Sequence, residues 1–327
     1  MALSVGFARA HITGWQQTLS LQYYRYRSNW PRYLFHHSPL QNAVSILRSG
    51  QLCSRNDPTN PHPIDVAAAG VIDASHAAHD FVRIYFRPCT PTQYHIEGIR
   101  KPGEGRYGDA SHAPVLVMFV LDAEAILTRA GTQFSDRNMQ IPGTVYNPTE
   151  AHFSTIPFEK VYHIGGIGGD HSIVQHRCAE VLAVSPLRLD EALQWVYCRS
   201  EAERELLLFE LRGAPVNWAD RIKVSDDLKV FQREYTFVEE VRLSSDGVIF
   251  QLNPRLDGRN VSIDLRITAM NGRVVASLVN SDFAPRPPTV LQWRHPCVLT
   301  PGLYHVQISL EGHLAYKNIL ELNDPLM

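Results

Sequence analysis

The sequence predicts an α+β domain followed by an all-β immunoglobulin-like sandwich. Three observations carry this. Residues from about 30 to 195 mix short helical and strand-like segments, and several of the strands are apolar on both faces, as in central strands of a covered sheet. From about Val230 onward the pattern changes to alternating strands separated by turn signals at short intervals. The length of 327 residues accommodates two such parts. The implied boundaries are a first domain over 1–213, a linker over 214–229 and a sandwich over 230–327.

The first 56 residues contain no Asp or Glu but carry Arg9, Arg25, Arg27, Arg32, Arg48 and Arg55, interleaved with Trp15, Tyr23, Tyr24, Tyr26, Trp30 and Tyr33. Arginines neutralise phosphates and aromatic faces stack on unpaired bases, so the mixture suits a single-stranded nucleic acid. The alternative is a solvated arm whose aromatic residues tuck into the core.

A helix is expected from Pro39, where Leu40, Val44 and Leu47 recur at helical spacing. Ser38 is its expected N-cap, Pro39 opens the first turn and Gly50 ends it. Strands are expected over Val82–Phe86, Ala113–Asp122 and Ala179–Pro186. A helix over Arg199–Gly213 is expected to close the first domain. In the sandwich, Asn271-Gly272 between two apolar runs predicts a hairpin. The sandwich carries no motif to which chemistry can be assigned.

Composition excludes some classes. A hydrophobic content of 44 % with 20 % charged residues fits a soluble globular chain and argues against a long disordered tail. No apolar run approaches the ~18–20 residues that span a bilayer, and no signal peptide is expected at the N-terminus. The five cysteines are scattered without a CxxC pair, which disfavours a disulfide scaffold and a zinc site and points to a reducing compartment. The expected location is the cytoplasm, and no metal is expected.

Three constellations could carry chemistry. Phe35-His36-His37-Ser38 precedes a helix start, where an anionic ligand is favoured, although a histidine beside a cap can equally be a satisfied core residue. Tyr85 to Tyr94 runs from a strand into a loop with two prolines, either a ligand-clasping loop or a rigid turn. The glycine-rich run Ile164–Asp170 matches neither a P-loop nor a dinucleotide fingerprint and is expected to be a mobile loop. Beyond it, Glu180 lies in an apolar strand, where an unpaired carboxylate is costly. It is therefore either paired, with Arg177 as the suggested partner, or functional. Cys178 beside His176 invites a thiol-nucleophile reading, against which stands the frequency of small buried cysteines in strands.

Taken in order and spacing, these segments resemble the DarT family, toxins that ADP-ribosylate DNA bases. FHHSPLQNAVSIL is similar to the family's opening YHxT motif and the helix after it, with Ser in place of Thr. YFRPCTPTQY is similar to YFAPRSPMLY, with Cys89 where the family has arginine. Asp136-Arg137-Asn138-Met139 resembles a DGNA-type segment, and CAEVLAV resembles QAEFLV. The match spans about residues 30 to 190 and omits the sandwich.

The resemblance implies an ADP-ribosyltransferase-like fold for the first domain, NAD as substrate, and Glu180 as catalytic residue. It implies NAD contacts from His36, Ser38, Asn42, Tyr85, Thr90 and Tyr94. The family's NAD-orienting arginine has Arg55 and Arg83 as its nearest substitutes, and Arg55 is the one assigned. Arg25, Arg27, His152 and Arg177 are assigned to nucleic acid, and the glycine run to a substrate-recognising loop. The expected function is transfer of ADP-ribose from NAD to a base of single-stranded DNA, by a bacterial toxin with a cognate antitoxin or a role in phage defence. The alternatives are the same chemistry on RNA, on a protein or on water, or a non-enzymatic partner-binding module.

Overall fold

The computed structural model describes residues 2–60, 64, 76–109, 111–139, 141 and 143–323. They divide into two compact units, neither continuous in sequence. The first comprises Met1–His95, Val117–Tyr197 and Pro215–Gln232. The second comprises Ile96–Leu116, Cys198–Ala214 and Arg233–Met327.

Among the described residues, ten strands belong to the sheets of the α+β part. They are β1 (Tyr33–Pro39), β2 (Gln51–Leu52), β3 (Phe81–Tyr85), β4 (Leu116–Asp122), β5 (Gln133–Ser135), β6 (Tyr146–Asn147), β7 (Glu180–Val184), β8 (Leu187–Arg188), β9 (Leu193–Cys198) and β10 (Ile222–Val224). Eight form one sheet in the order β10-β9-β4-β1-β3-β7-β5-β6, while β2 and β8 pair separately. β4 lies well inside the sheet and is buried from Leu116 to Leu121, which accounts for its unbroken apolar run. The three strands expected from sequence correspond to β3, β4 and β7.

Helix α1 (Val5–Ser20) was not expected from the basic and aromatic composition of the N-terminus. Ser4 caps it by accepting the Phe7 N–H at 3.3 Å. Phe7, His11 and Trp15, each one turn apart, pack on Phe153, Phe158 and Tyr162. The aromatic residues of this helix therefore serve the core. Helix α2 (Leu40–Ser49) buries Leu40, Ala43 and Leu47 and ends at Gly50, whose φ of 72° is the left-handed conformation a helix stop needs. The residue in the N-cap position is Pro39 and no side chain caps the helix, so Ser38 is not the cap. Ser38 is still in β1 and is buried there.

From Pro215 on, the expected linker over 214–229 is instead part of the first unit. It supplies β10 to the sheet edge, the Trp218 indole donates to Leu47 O at 2.8 Å, and Leu228 O accepts from the Trp30 indole at 2.8 Å.

In the second unit, β11 (Phe237–Ser244), β12 (Gly247–Asn253) and β15 (Trp293–Pro296) form a three-stranded sheet. β13 (Val261–Ala269), β14 (Val274–Phe283), β16 (Gly302–Leu310) and β17 (His313–Leu322) form a four-stranded one. Both are antiparallel, and Val241, Phe250, Leu265, Val306 and Tyr316 from the two sheets share one core. The hairpin at Asn271-Gly272 forms, with Gly272 at φ 86°. The helix Glu201–Glu210, expected to close the first domain, packs with these strands instead. Its cap Ser200 donates to Val238 O at 2.6 Å, Ala202 joins the sandwich core, and Glu205 accepts from the Tyr316 hydroxyl at 2.6 Å. Arg199 and Glu203, both buried, pair at the start of this helix.

Candidate active site

Register brings the first set of residues together. Tyr85 lies opposite Phe35 of β1 on one side and opposite Glu180 of β7 on the other, with Arg83 opposite Leu182. Successive side chains on a strand alternate between faces, so Arg83, Tyr85, Glu180 and Leu182 share one face of the sheet. On that face Glu180 is fully buried and accepts two hydrogen bonds from Arg83, one from Nε at 2.5 Å and one from Nη2. Arg83 is 21 % exposed in its side chain, so the pair has one sealed and one partly solvated member. Burial disfavours the Arg83 charge, but the Glu180 carboxylate and its hydrogen bonds outweigh that, and the guanidinium is held protonated more firmly than usual. The loop after β5 crosses the same face. Met139 packs on Leu182, and its N–H approaches Glu180 Oε1 at 3.5 Å.

This geometry corrects the suggested pairing with Arg177, which instead donates to His163 Nδ1 and Gly165 O, each at 2.7 Å. It also separates the two arginines considered for the NAD-orienting role. Arg83 is at Glu180. Arg55 follows β2, where the neighbouring Ser54 N–H donates to Ser185 Oγ at 2.9 Å. Ser185 follows β7 directly, five residues beyond Glu180, about 16 Å at the rise of a strand. The stretch between Asp57 and Asp80 lies largely outside the described residues.

Of the two histidines of β1, His37 shares this face, while His36 turns to the other, its ring edge-on to Phe119 at 6.1 Å. His37 stacks on Tyr85, ring centroids 5.3 Å apart and planes 5° from parallel. Burial, with His36 and Arg83 nearby, pushes its pKa down to about 3. His36 donates from Nδ1 to Arg83 O at 3.0 Å. Burial lowers its pKa too, against that hydrogen bond, so both rings are neutral near pH 7. Burial and the Glu180 charge push the Tyr85 phenol up, which keeps it protonated. Asn42 has a different employment. Its Nδ2 donates to Ile64 O at 2.7 Å and its Oδ1 accepts the Ile64 N–H at 3.0 Å, so the amide clamps a backbone segment.

The second motif wraps a cavity of about 610 Å³. Thr90, fully buried, accepts the Gln93 N–H at 3.1 Å and caps the helix Pro91–Ile96. Tyr94, half exposed, lines the cavity with Arg87, Arg177, Tyr26, Trp30 and Phe231. Cys89 holds φ 54°, a strained value for a residue with a Cβ. Its N–H donates to Gln93 Oε1 at 2.8 Å, and Gln93 Nε2 in turn donates to Val230 O at 2.8 Å. The wall formed by residues 229–232 is thereby fastened to the motif.

Of the residues assigned to nucleic acid, Arg25 is exposed and Arg177 is at the cavity. Arg27 is only 5 % exposed and donates to Tyr24 O, Tyr162 O and Gln22 Oε1, so it braces the turn after α1 and is not available to a strand. The His152 imidazole donates from Nε2 to Phe134 O at 3.0 Å, a tie within the fold. Cys178 is buried, and burial pushes its thiol up to about 11. His176 bonds Asp136 O at 2.7 Å instead. The thiol-nucleophile reading fails on both counts. The 229–232 segment carried no recognised motif, and Arg87, although inside YFRPCTPTQY, was assigned no role from sequence. A charged residue inside the apolar run VRIYF was the available signal for Arg83.

The family model described as DarT, ssDNA thymidine ADP-ribosyltransferase, matches residues 35–224. Among solved structures, the chain is similar to Thermus sp. 2.9 DarT in complex with ADP-ribosylated ssDNA, at 19% identity and TM-score 0.47 over 61% of this chain and 96% of that one. The same protein in complex with NAD+ gives 18% identity and TM-score 0.46 over 61% and 97%. Thermosipho africanus DarTG in complex with ADP-ribose gives 14% identity and TM-score 0.44 over 68% and 55%. No curated protein sequence matches.

Proposed function

The chain belongs to the DarT family of ssDNA thymidine ADP-ribosyltransferases, and on that premise we propose that Glu180, held by Arg83, is its catalytic residue. The observation that carries this is a fully buried carboxylate fixed at two points by a guanidinium on the neighbouring strand. Transfer breaks the bond between the nicotinamide nitrogen and ribose C1′. The bonding pair leaves with nicotinamide, and positive charge develops on the ribose. A preoriented carboxylate stabilises that charge. A nitrogen of the base then forms the new bond to C1′, and its proton passes to the Glu180 carboxylate and on to solvent.

Arg83 acts as a positioning residue in this scheme and takes the place expected of Arg55. Neutral His36, with Nδ1 engaged by Arg83 O, offers Nε2 as an acceptor to NAD. Ser38 shares β1 with it, and Tyr85 lies on the neighbouring β3. Tyr94 supplies an exposed ring for the nicotinamide, while Thr90 and Asn42 act indirectly by holding the helix start and the Ile64 backbone. Arg25 and Arg177 are the arginines left to meet the DNA strand.

A modified template base obstructs copying of DNA, so the enzyme is read as a bacterial toxin with a cognate antitoxin, or as a phage-defence factor, acting in the cytoplasm where NAD and DNA meet. The test is mass spectrometry of nucleosides from single-stranded DNA and from RNA after incubation with the protein and NAD. ADP-ribose added to one deoxynucleoside is expected. Addition only to RNA, or NAD consumption without any modified nucleoside, would contradict it.

A further inference from the structure

Three arginines converge on one short stretch of backbone. Arg27 donates to Tyr162 O, Arg87 to Val161 O and His163 O, and Arg177 to Gly165 O. Among the described residues, all their side-chain partners are neutral and none of the three forms an ion pair with a carboxylate. Their charges reach one another. Burial, Arg177, Arg87 and Arg27 all lower the His163 pKa, while Asp170, itself paired with Lys160, acts the other way. The described residues lining the cavity in front of Arg87 and Arg177 include no Asp or Glu either. Lys229 adds a further cation at its rim, although its ammonium meets Asp226. Partly desolvated positive charge without a counter-charge is unfavourable in the free protein, and an anionic ligand relieves it.

A row of rings leads to the same place. Tyr23, 90 % exposed, meets Tyr24 edge-on at 5.0 Å. Tyr24 meets Tyr26 at 6.2 Å, and Tyr26 meets Trp30 at 5.9 Å. Tyr26 and Trp30 form part of the cavity wall. These four residues, and Lys229 and Phe231 opposite, lie outside residues 35–224 that match the family. From the ring row and the uncompensated arginines together, we infer that residues 23–30 and the cavity form a further subsite for unpaired nucleotides of the substrate strand. Its bases stack on Tyr23, Tyr24 and Tyr26, and a phosphate meets Arg177 at the cavity. The exposed rings of Tyr23 and Tyr24 and the partly buried ring of Tyr26 fit three consecutive bases of a strand, whereas the two bases of a dinucleotide leave one of them unused. The inference rests on the single-stranded DNA reading above and deepens it.

The test is oligonucleotide binding to the full chain without NAD, by fluorescence anisotropy of labelled oligothymidylates. The lengths are about four and about sixteen nucleotides, the range of site sizes in single-strand grooves. The double variant Tyr23→Ala/Tyr24→Ala removes two exposed rings, and its melting temperature confirms folding. Its affinity for the long oligonucleotide is expected to fall on the order of tenfold or more, with the long-to-short ratio collapsing. Arg177→Gln is expected to weaken binding and flatten its salt dependence. Unchanged long-oligonucleotide affinity in the folded double variant would overturn the subsite. So would equal binding of duplex and single strand by the wild type, or an Arg177→Gln protein with a raised KM for NAD and intact oligonucleotide affinity. Because binding is read without chemistry, a protein that binds the strand through these rings but never modifies it contradicts the transfer reading alone. A protein that modifies DNA independently of the rings contradicts only the subsite.

Discussion

Arg83 and Glu180 occupy adjacent strands, two residues apart in register, and their side chains meet through two hydrogen bonds on a face where the carboxylate has no contact with solvent. Breaking a buried pair from one side leaves an uncompensated charge, at a typical cost of about 3–5 kcal/mol. Arg83→Gln is therefore expected to lower unfolding free energy in that range, measured by urea denaturation, and to reduce transfer with it. Arg83→Lys keeps the charge but cannot make the paired contact, and should fall between the two. A glutamine variant as stable as wild type would show that the pair does not hold the site.

Acid sensitivity is expected from two histidines. Burial among Phe153 and Phe158 brings the His11 pKa down to about 4, and His37 is held at about 3. Both lie below the unfolded value near 6.5, so the unfolded chain binds more protons below that pH. Their contribution is complete above about pH 6.5, declines as pH falls, and is lost by pH 3–4. For His11 this is on the order of 3 kcal/mol. Melting temperatures across pH 7.5 to 4 measure it. His11→Phe should flatten the curve, and an unchanged slope would mean that His11 titrates normally in the fold.

The interleaving of the two units bears on truncation. A chain ending near Gly213 loses β10 and the carbonyls of Leu228 and Val230 that accept from Trp30 and Gln93. It also strands Ile99 and Ala202, which are buried in the sandwich core. Such a chain is expected to be insoluble or to lack a cooperative melt by circular dichroism. The sandwich carries no motif for the NAD chemistry, yet its removal is expected to cost the fold that supports it. A folded, NAD-consuming fragment would contradict this.

What the sequence disclosed depended on whether local pattern decided the outcome. β4 was legible because a fully covered strand is continuously apolar, β3 and β7 because their short apolar runs are bounded by polar or turn residues, and α2 because Gly50 supplies a left-handed stop. Helix α1 was obscured because its buried face is built from Phe7, His11 and Trp15, residues that equally suit a nucleic-acid surface. Arg27 misled for the same reason. Its guanidinium donates to the carbonyl of Tyr162, 135 residues away, which no local pattern encodes. Glu180 could be marked as anomalous from its apolar neighbours, but its partner lies 97 residues earlier and only register brings it near.

The most direct measurement is transfer by Glu180→Gln. Glutamine retains size and can still accept one bond from Arg83, so stability should drop by only about 1–3 kcal/mol, verified by melting. In the folded variant, ADP-ribosyl deoxynucleoside formation from NAD and single-stranded DNA, quantified by mass spectrometry, is expected to fall by orders of magnitude, with NAD binding little changed. A host poisoned by the wild type should tolerate the variant. A folded Glu180→Gln protein that modifies DNA at close to the wild-type rate would contradict the assignment of Glu180 and the mechanism built on it.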